Sequence, residues 1–264
     1  VIVLFSDLDG TLLDHHSYSY EASLPGMKVL NHAGGKLVLV SSKTRREMEL
    51  LHRELSLDTP FIFENGGGYL WPGEETEPVF LGRPVHELEK CMPDVERVLG
   101  VKVLPLPEMS TGEVMEKTGL PEEKAGLARQ RETGIPFLVQ GTHDILAEDI
   151  ERANRALASS GILLTRGGRF FHVIDAEAGK GTAVKKIVDL LSRKYEVEII
   201  SCAVGDGEND RSMLEVVDRP FFVRRPDGSH AEAKGIPVTA GTGPEGFTEA
   251  VQSIIREFVH EGNH

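Results

Sequence analysis

Two acidic clusters carry the clearest chemistry in this sequence. Asp7 and Asp9 stand one residue apart in Asp7-Leu8-Asp9-Gly10-Thr11, directly after the apolar run of residues 1–6. Asp206, Glu208 and Asp210 crowd Gly205-Asp206-Gly207-Glu208-Asn209-Asp210, directly after the apolar run 198–204. Carboxylates held close together repel, unless a cation sits between them or a phosphate chemistry uses them. One acidic cluster after a strand is often an Asx turn. Two, at the ends of two strands of one sheet, are better explained by convergence on a divalent metal with hard oxygen ligands.

Two other segments suit an anion. Ser41-Ser42-Lys43-Thr44-Arg45 separates an apolar run from a helical stripe of Met48, Leu51 and Leu55. An N-cap accounts for one of these hydroxyls, but not for the whole group of hydroxyls and cations. Gly179-Lys180-Gly181-Thr182 opens a second helix. A lone cation at a helix start is unfavourable unless an anion neutralises it, and otherwise it reads as a flexible surface lysine. It is not a nucleotide P-loop, because Ile174 and Gly181 occupy places where that loop needs glycine and a hydroxyl. Glu64-Asn65-Gly66-Gly67-Gly68 is a permissive turn, not a dinucleotide fingerprint, whose third glycine would fall on Trp71. His15 and His16 have no partner spacing and read as a solvated loop pair.

The elements that would position these groups follow from apolar periodicity. Short buried runs at 1–6, 36–40, 60–63, 198–204 and 221–223 alternate with helical patterns at 25–32, 45–55, 180–191 and 246–259. The expected fold class is α/β, with a Rossmann-like parallel-sheet core. Residues 12–24 read as a short hairpin or flap beside the first strand end. The pattern changes near Gly82-Arg83-Pro84, and a stripe of Val85, Leu88, Met92, Val95 and Leu99 is split at Pro93. The expected division is a core of residues 1–82 and 174–264 and an inserted α+β cap of residues 83–173, its sheet covered by helices on one side.

Composition narrows the partners. With 29 Lys and Arg against 42 Asp and Glu the net charge is −13, which argues against nucleic acid or an anionic membrane as a partner but leaves room for a local phosphate pocket. Cys91 and Cys202 lack zinc or redox spacing, so the expected compartment is cytoplasmic. No apolar stretch approaches membrane length.

The order of Asp7-Leu8-Asp9-Gly10-Thr11, the strand-end serines, Gly179-Lys180-Gly181 and the cluster at 205–210 resembles the haloacid dehalogenase-like phosphatase superfamily. Ser41-Ser42-Lys43-Thr44-Arg45, Phe63-Glu64-Asn65-Gly66 and Gly168-Arg169-Phe170-Phe171 are most similar to its mannosyl-3-phosphoglycerate phosphatases. That group would carry a second acidic residue where Ile135 stands here. The resemblance implies Mg²⁺-dependent hydrolysis of a phosphate monoester, with Asp7 as nucleophile and Asp9 as acid and base. It implies a metal held by Asp7, Asp9 and Asp206, with Asp210 orienting Lys180 or a metal-bound water. Ser41, or Ser42 one register on, would bind phosphate, and Lys180 would neutralise it. Gly10 would give the phosphoryl group room, while Asn65 and Asn209 would contact phosphate or its surroundings. A phosphoglycerate carboxylate calls for cationic insert residues, for which Arg131, Arg166 and Arg169 are the candidates. The expected partner is a small phosphorylated sugar or glycosyl-phosphoglycerate, bound by a monomer or weak dimer. The rival readings are a broad sugar-phosphate phosphatase, a phosphomannomutase-like phosphotransferase, and a phospho-ligand-binding protein without turnover.

Overall fold

The computed structural model describes residues 1–74, 77–141, 145–230 and 235–261, with side chains described as far as residue 258. The first sheet is formed by β1 (Ile2–Ser6), β2 (Lys36–Val40), β3 (Phe61–Phe63), β4 (Gly68–Leu70), β5 (Val79–Phe80), β10 (Ile200–Gly205), β11 (Arg219–Arg224) and β12 (Val238–Thr242). Among the described residues its order is β12-β11-β10-β1-β2-β3-β4-β5. The pairs from β12 to β3 are parallel, and β4 and β5 add antiparallel strands at one edge.

Helices lie on both faces, giving the three layers of a Rossmann-like α/β fold. On one face α1 (Leu24–His32), α2 (Arg45–Glu54) and α10 (Gly243–Glu261) bury Leu30, Met48, Phe247 and Val251 against Leu4, Leu39 and Val204. On the other, α8 (Lys180–Tyr195) and α9 (Arg211–Leu214) bury Val184, Ile187, Leu191 and Met213 against Val3, Phe5, Val38 and Ala203. Because both faces are covered, these strands read as continuous apolar runs rather than alternating ones. Each fully buried aliphatic side chain contributes about 1.5–3 kcal/mol.

The topology creates the site. From β1 the chain steps to β2 and β3 on one side, and β10, β11 and β12 extend the other. The carboxyl ends of β1 and β10 thus flank the point where strand order reverses, the crevice where open α/β sheets bind ligands. Ser6 is in register with Val204 on one side and Leu39 on the other. Asp7, Ser41 and Asp206 therefore leave neighbouring strands at one edge.

A second sheet, ordered β6-β7-β9-β8 and antiparallel throughout, comprises β6 (Val103–Pro105), β7 (Gly134–Val139), β8 (Ile162–Arg166) and β9 (Phe171–Asp175). Helices α3 (Val85–Glu89), α4 (Met92–Leu99) and α7 (Ala147–Leu157) cover one face through Leu88, Val95, Ala153 and Leu157. Pro93 lies in the first turn of α4, where its missing N–H costs nothing, so the split stripe becomes two helices. The expectation of a one-sided sheet is corrected. Helices α5 (Thr111–Thr118) and α6 (Glu122–Ala128) bury Val114, Ala125 and Ala128 with Leu104 and Leu138, which point to the opposite face. Residues 12–24 are also not a hairpin. They form turns, one closed by the Asp14 carboxylate accepting from Ser17 N at 2.7 Å, and a short 3₁₀ turn, Glu21–Ser23.

Buried polar contacts join the two sheets. Glu64 accepts the N–H groups of Glu132 (2.9 Å) and Thr133 (2.8 Å). Arg45 forks onto Glu132 through Nε and Nη2, both at 2.9 Å. Thr44 Oγ1 donates to Leu127 O at 3.2 Å, and Arg83 Nε to Asp175 Oδ2 at 2.8 Å. Cys91 and Cys202 are free thiols, and no described helix is long and apolar enough to cross a membrane.

Candidate active site

The Asp7 N–H still bonds Val204 O at 2.9 Å, so its side chain starts from a fixed point just beyond β1. Gly10 then turns at φ +85°, and a Cβ there would stand 3.1 Å from Asp206 Oδ2. The absent side chain at Gly10 leaves room for the Asp206 carboxylate. Thr11 Oγ1 donates to Asp206 Oδ1 at 3.3 Å, tying the first motif to the last.

Lys180 comes from the start of α8 and is 1% exposed. Its ammonium donates to Asp7 Oδ1 at 2.5 Å and to Asp210 Oδ1 at 2.6 Å. Asp210 Oδ2 accepts the N–H groups of Asp206 (3.1 Å) and Gly207 (2.8 Å), so both oxygens of that carboxylate are used. The start of α8 is located by the turn after β3. A Cβ on Gly66 would lie 2.2 Å from the Gly179 carbonyl carbon, so only glycine permits this approach.

The charge balance is short of cations. Burial opposes charging Lys180, but Asp210 and Asp7 outweigh it and raise its pKa. Burial and then repulsion from Asp210 push the Asp7 carboxyl well above its ordinary value, with Lys180 pulling the other way. Asp206 is pushed up to about 7, by burial and then by Asp210, although Arg225 and Lys180 oppose it. Burial comes first for both acids, and crowding adds to it: three carboxylates face the buried Lys180 ammonium and Arg225, whose Nε is 3.4 Å from Asp206 Oδ2. Oxygens of Asp7, Asp206 and Asp210 lie within 4.8 Å of one another. Hard oxygen donors with unbalanced negative charge fit a divalent cation such as Mg²⁺.

The hydroxyl cluster divides its tasks. Thr44 caps α2, accepting from Glu47 N at 3.3 Å while Glu47 reaches back to Thr44 N at 2.9 Å. Ser41 is 1% exposed, and its hydroxyl accepts from Lys43 N at 3.2 Å. Of the two serines expected at phosphate, Ser42 lines the cavity above Asp7 and Asp9, and Ser41 is not among the lining residues. Asn209 Nδ2 donates to Asn65 Oδ1 at 3.0 Å, and Asn65 Nδ2 is buried with no partner among the described residues. Asn65 holds a left-handed φ of 57°, which asparagine tolerates better than most residues.

The insert closes over this edge. Arg131 is a structural tie: its Nη2 donates to Ser42 O at 2.8 Å, its Nε to Gly134 O at 3.3 Å, and Nε is 3.8 Å from Glu64 Oε2. Burial raises the Glu64 pKa, and the nearby Arg131 opposes this. Arg169 lines the cavity, but its Nη1 donates to Tyr18 Oη at 2.7 Å and also to Thr118 O. Arg166 does not reach the cavity of the acid pair. It donates to Ile145 O at 3.3 Å and stacks over Phe171 at 5.3 Å, so its candidacy is corrected.

The sequence placed Lys43 only within an anion-suited group and singled out neither Glu64 nor His172. Lys43 Nζ is 2.8 Å from Asp9 Oδ2 and 5.1 Å from the Tyr18 ring centre. Burial opposes its charge, but Asp9 and Glu47 raise its pKa. Its presence among the hydroxyls was visible, whereas its aim at Asp9 depends on the turn between β2 and α2. His172 could have been found from period two, since it alternates with Phe171 and Val173, which face the opposite core.

The family model of haloacid dehalogenase-like hydrolases matches residues 4–76 and 114–227, and the chain belongs to that family. It is 31% identical to a glucosyl-3-phosphoglycerate/mannosyl-3-phosphoglycerate phosphatase of Methanococcoides burtonii, over 96% of this chain and 97% of that protein. It is 30% identical to a protein of the same description from Persephonella marina, over 97% and 98%. The fold resembles a Thermoplasma acidophilum crystal structure (TM-score 0.67, 19% identity, 98% of each chain). It also resembles a haloalkanoate-superfamily phosphatase of Bacteroides thetaiotaomicron (TM-score 0.65, 20% identity, 96% of this chain and 94% of that one).

Proposed function

We propose that this hydrolase removes phosphate from glucosyl- or mannosyl-3-phosphoglycerate through an aspartyl-phosphate on Asp7, and that residues 83–173 act as the substrate-selecting cap. The observation that carries the reading is the pairing of Asp7 with Lys180 beneath a cavity that also holds Lys43. Phosphate binds beside Lys180 and Ser42. A carboxylate oxygen of Asp7 attacks phosphorus as the bond to the leaving oxygen breaks, and Asp9 delivers its proton to that oxygen. Water then attacks phosphorus and returns a proton to Asp9, which releases phosphate and restores Asp7.

Asp7, Asp206 and the Asp9 backbone carbonyl would hold Mg²⁺. Asp210 already accepts from Lys180, Asp206 N and Gly207 N, and its part is to position Lys180. When bound, Mg²⁺ offsets the negative charge shared by nucleophile and phosphate. Lys43 meets the substrate carboxylate. Arg131 and Arg169 also line the cavity but commit part of their guanidinium to the fold, whereas among the described residues Lys43 Nζ bonds Asp9 and has two ammonium protons to offer.

The test is a phosphate-release panel with and without Mg²⁺. It compares the two glycosyl-phosphoglycerates with hexose phosphates. Mg²⁺-dependent release with preference for the glycosyl-phosphoglycerates is expected. Faster release from hexose phosphates would replace this assignment with a broad sugar phosphatase. Turnover only with an activating bisphosphate would point to a phosphotransferase, and binding without release would remove the hydrolytic reading.

A further inference from the structure

One polar side chain in the cavity wall has no task in the chemistry above. His172 of β9 lies opposite Pro136 of β7 and lines the same cavity as Asp7 and Lys43. It is 4% exposed. Nδ1 is buried, and among the described residues neither Nδ1 nor Nε2 has a hydrogen-bond partner. A buried imidazole left in this state costs stability that an apolar ring at the same place would not lose. Folding gives no reason to keep it, whereas binding a ligand does.

The surroundings leave one nitrogen accessible to a ligand. A Cβ on Gly167 would stand 2.9 Å from Nε2, so the glycine keeps that atom uncovered on the cavity side. Burial, and then the charges of Arg131 and Lys180, push the imidazole pKa down to about 3, so the ring is neutral at ordinary pH. A neutral ring is a poor competitor for phosphate, which Lys180 meets far better. It is well suited to an oxygen of the organic half of the substrate, with N–H on Nε2 and the lone pair on the interior Nδ1.

We propose that His172 is a specificity-determining residue whose Nε2–H donates to a hydroxyl or carboxylate oxygen of the leaving alcohol. This rests on the cavity being the seat of a phosphate ester with a polar leaving group. Loss of one such bond changes discrimination about tenfold or more.

The experiment compares kcat/KM for mannosyl-3-phosphoglycerate with that for p-nitrophenyl phosphate, whose leaving group offers no oxygen at that place. It does so in the wild type and in His172→Phe, His172→Gln and Gly167→Ala. The ratio is expected to fall about tenfold in His172→Phe through KM, and less in His172→Gln, whose amide keeps a donor near the Nε2 place. His172→Phe should melt no lower than the wild type. Gly167→Ala crowds Nε2 and should lower the same ratio, which keeps the test open should His172→Phe fail to fold. An unchanged ratio in folded variants, whether both activities fall together or neither moves, overturns the proposal. A wild type inactive on glycosyl-phosphoglycerates defeats the substrate assignment instead, and the ratio is then read with the sugar phosphate it does cleave.

Discussion

Lys180 Nζ stands 2.5 Å from Asp7 Oδ1, though 173 positions separate the two residues in the chain. The pair is formed by the end of the central strand and the start of α8, and Asp210 completes it from the end of β10 at 2.6 Å. Removing the ammonium leaves Asp7 and Asp210 buried and unpaired. Lys180→Ala should reduce phosphate release by about 10³-fold or more and cost about 3–5 kcal/mol in stability. Phosphate assays and urea denaturation measure the two effects. Added Mg²⁺ should restore part of the stability but little of the activity.

Lys43 gives a second, independent handle. Its ammonium bonds the Asp9 carboxylate at 2.8 Å, with its side chain 15% exposed. Lys43→Met should raise KM about tenfold or more for a phosphoglycerate ester, and much less for a hexose phosphate, which has no carboxylate. Steady-state kinetics on both substrates give the comparison. An equal effect on the two would remove Lys43 as the carboxylate partner.

Much of this arrangement was legible before any coordinates. The acid pair after β1, the acidic cluster after β10 and the glycine-flanked lysine all come together, because apolar runs fix strands and strands in parallel register align their carboxyl ends. The strands β4, β5 and β12, at or next to the sheet edges, were not legible as strands. The first two are only three and two residues long, and Val238–Thr242 has a glycine and little apolar alternation. The partners of the arginines were not legible for a different reason. Composition shows that a guanidinium is available, but not that Ser42 O, Glu64, Tyr18 and Thr118 O will engage Arg131 and Arg169. Those partners lie at sequence distances that no local pattern encodes.

The contact of Arg131 with Glu64 should be structural rather than chemical. Their side chains are 4% and 0% exposed, and Glu64 also holds the turn at Glu132 and Thr133. Arg131→Met should destabilise the protein by about 3–5 kcal/mol by leaving a buried carboxylate uncompensated. Adding Glu64→Gln should recover part of that loss. Chemical denaturation of the single and double variants checks the coupling.

His172 gives a pH signature in stability. Its folded pKa of about 3 lies below the ordinary 6.5. The unfolded chain therefore takes up the proton first as pH falls. The stability of the neutral ring is fully present above the unfolded value, and is lost progressively as pH drops below it. Between about pH 7.5 and about pH 5.5 the wild type should lose about 1.4 kcal/mol that His172→Phe retains. Urea denaturation of both at the two pH values measures the difference.

The central claim is that Asp7 carries the phosphoryl group between the two half-reactions. Acid quenching during turnover of substrate labelled in its phosphate, followed by peptide mapping, tests it most directly. Label is expected on the peptide containing Asp7 in the wild type, and neither label nor appreciable phosphate release in Asp7→Asn. Phosphate release by Asp7→Asn at the wild-type rate, with no labelled peptide in either protein, would contradict it.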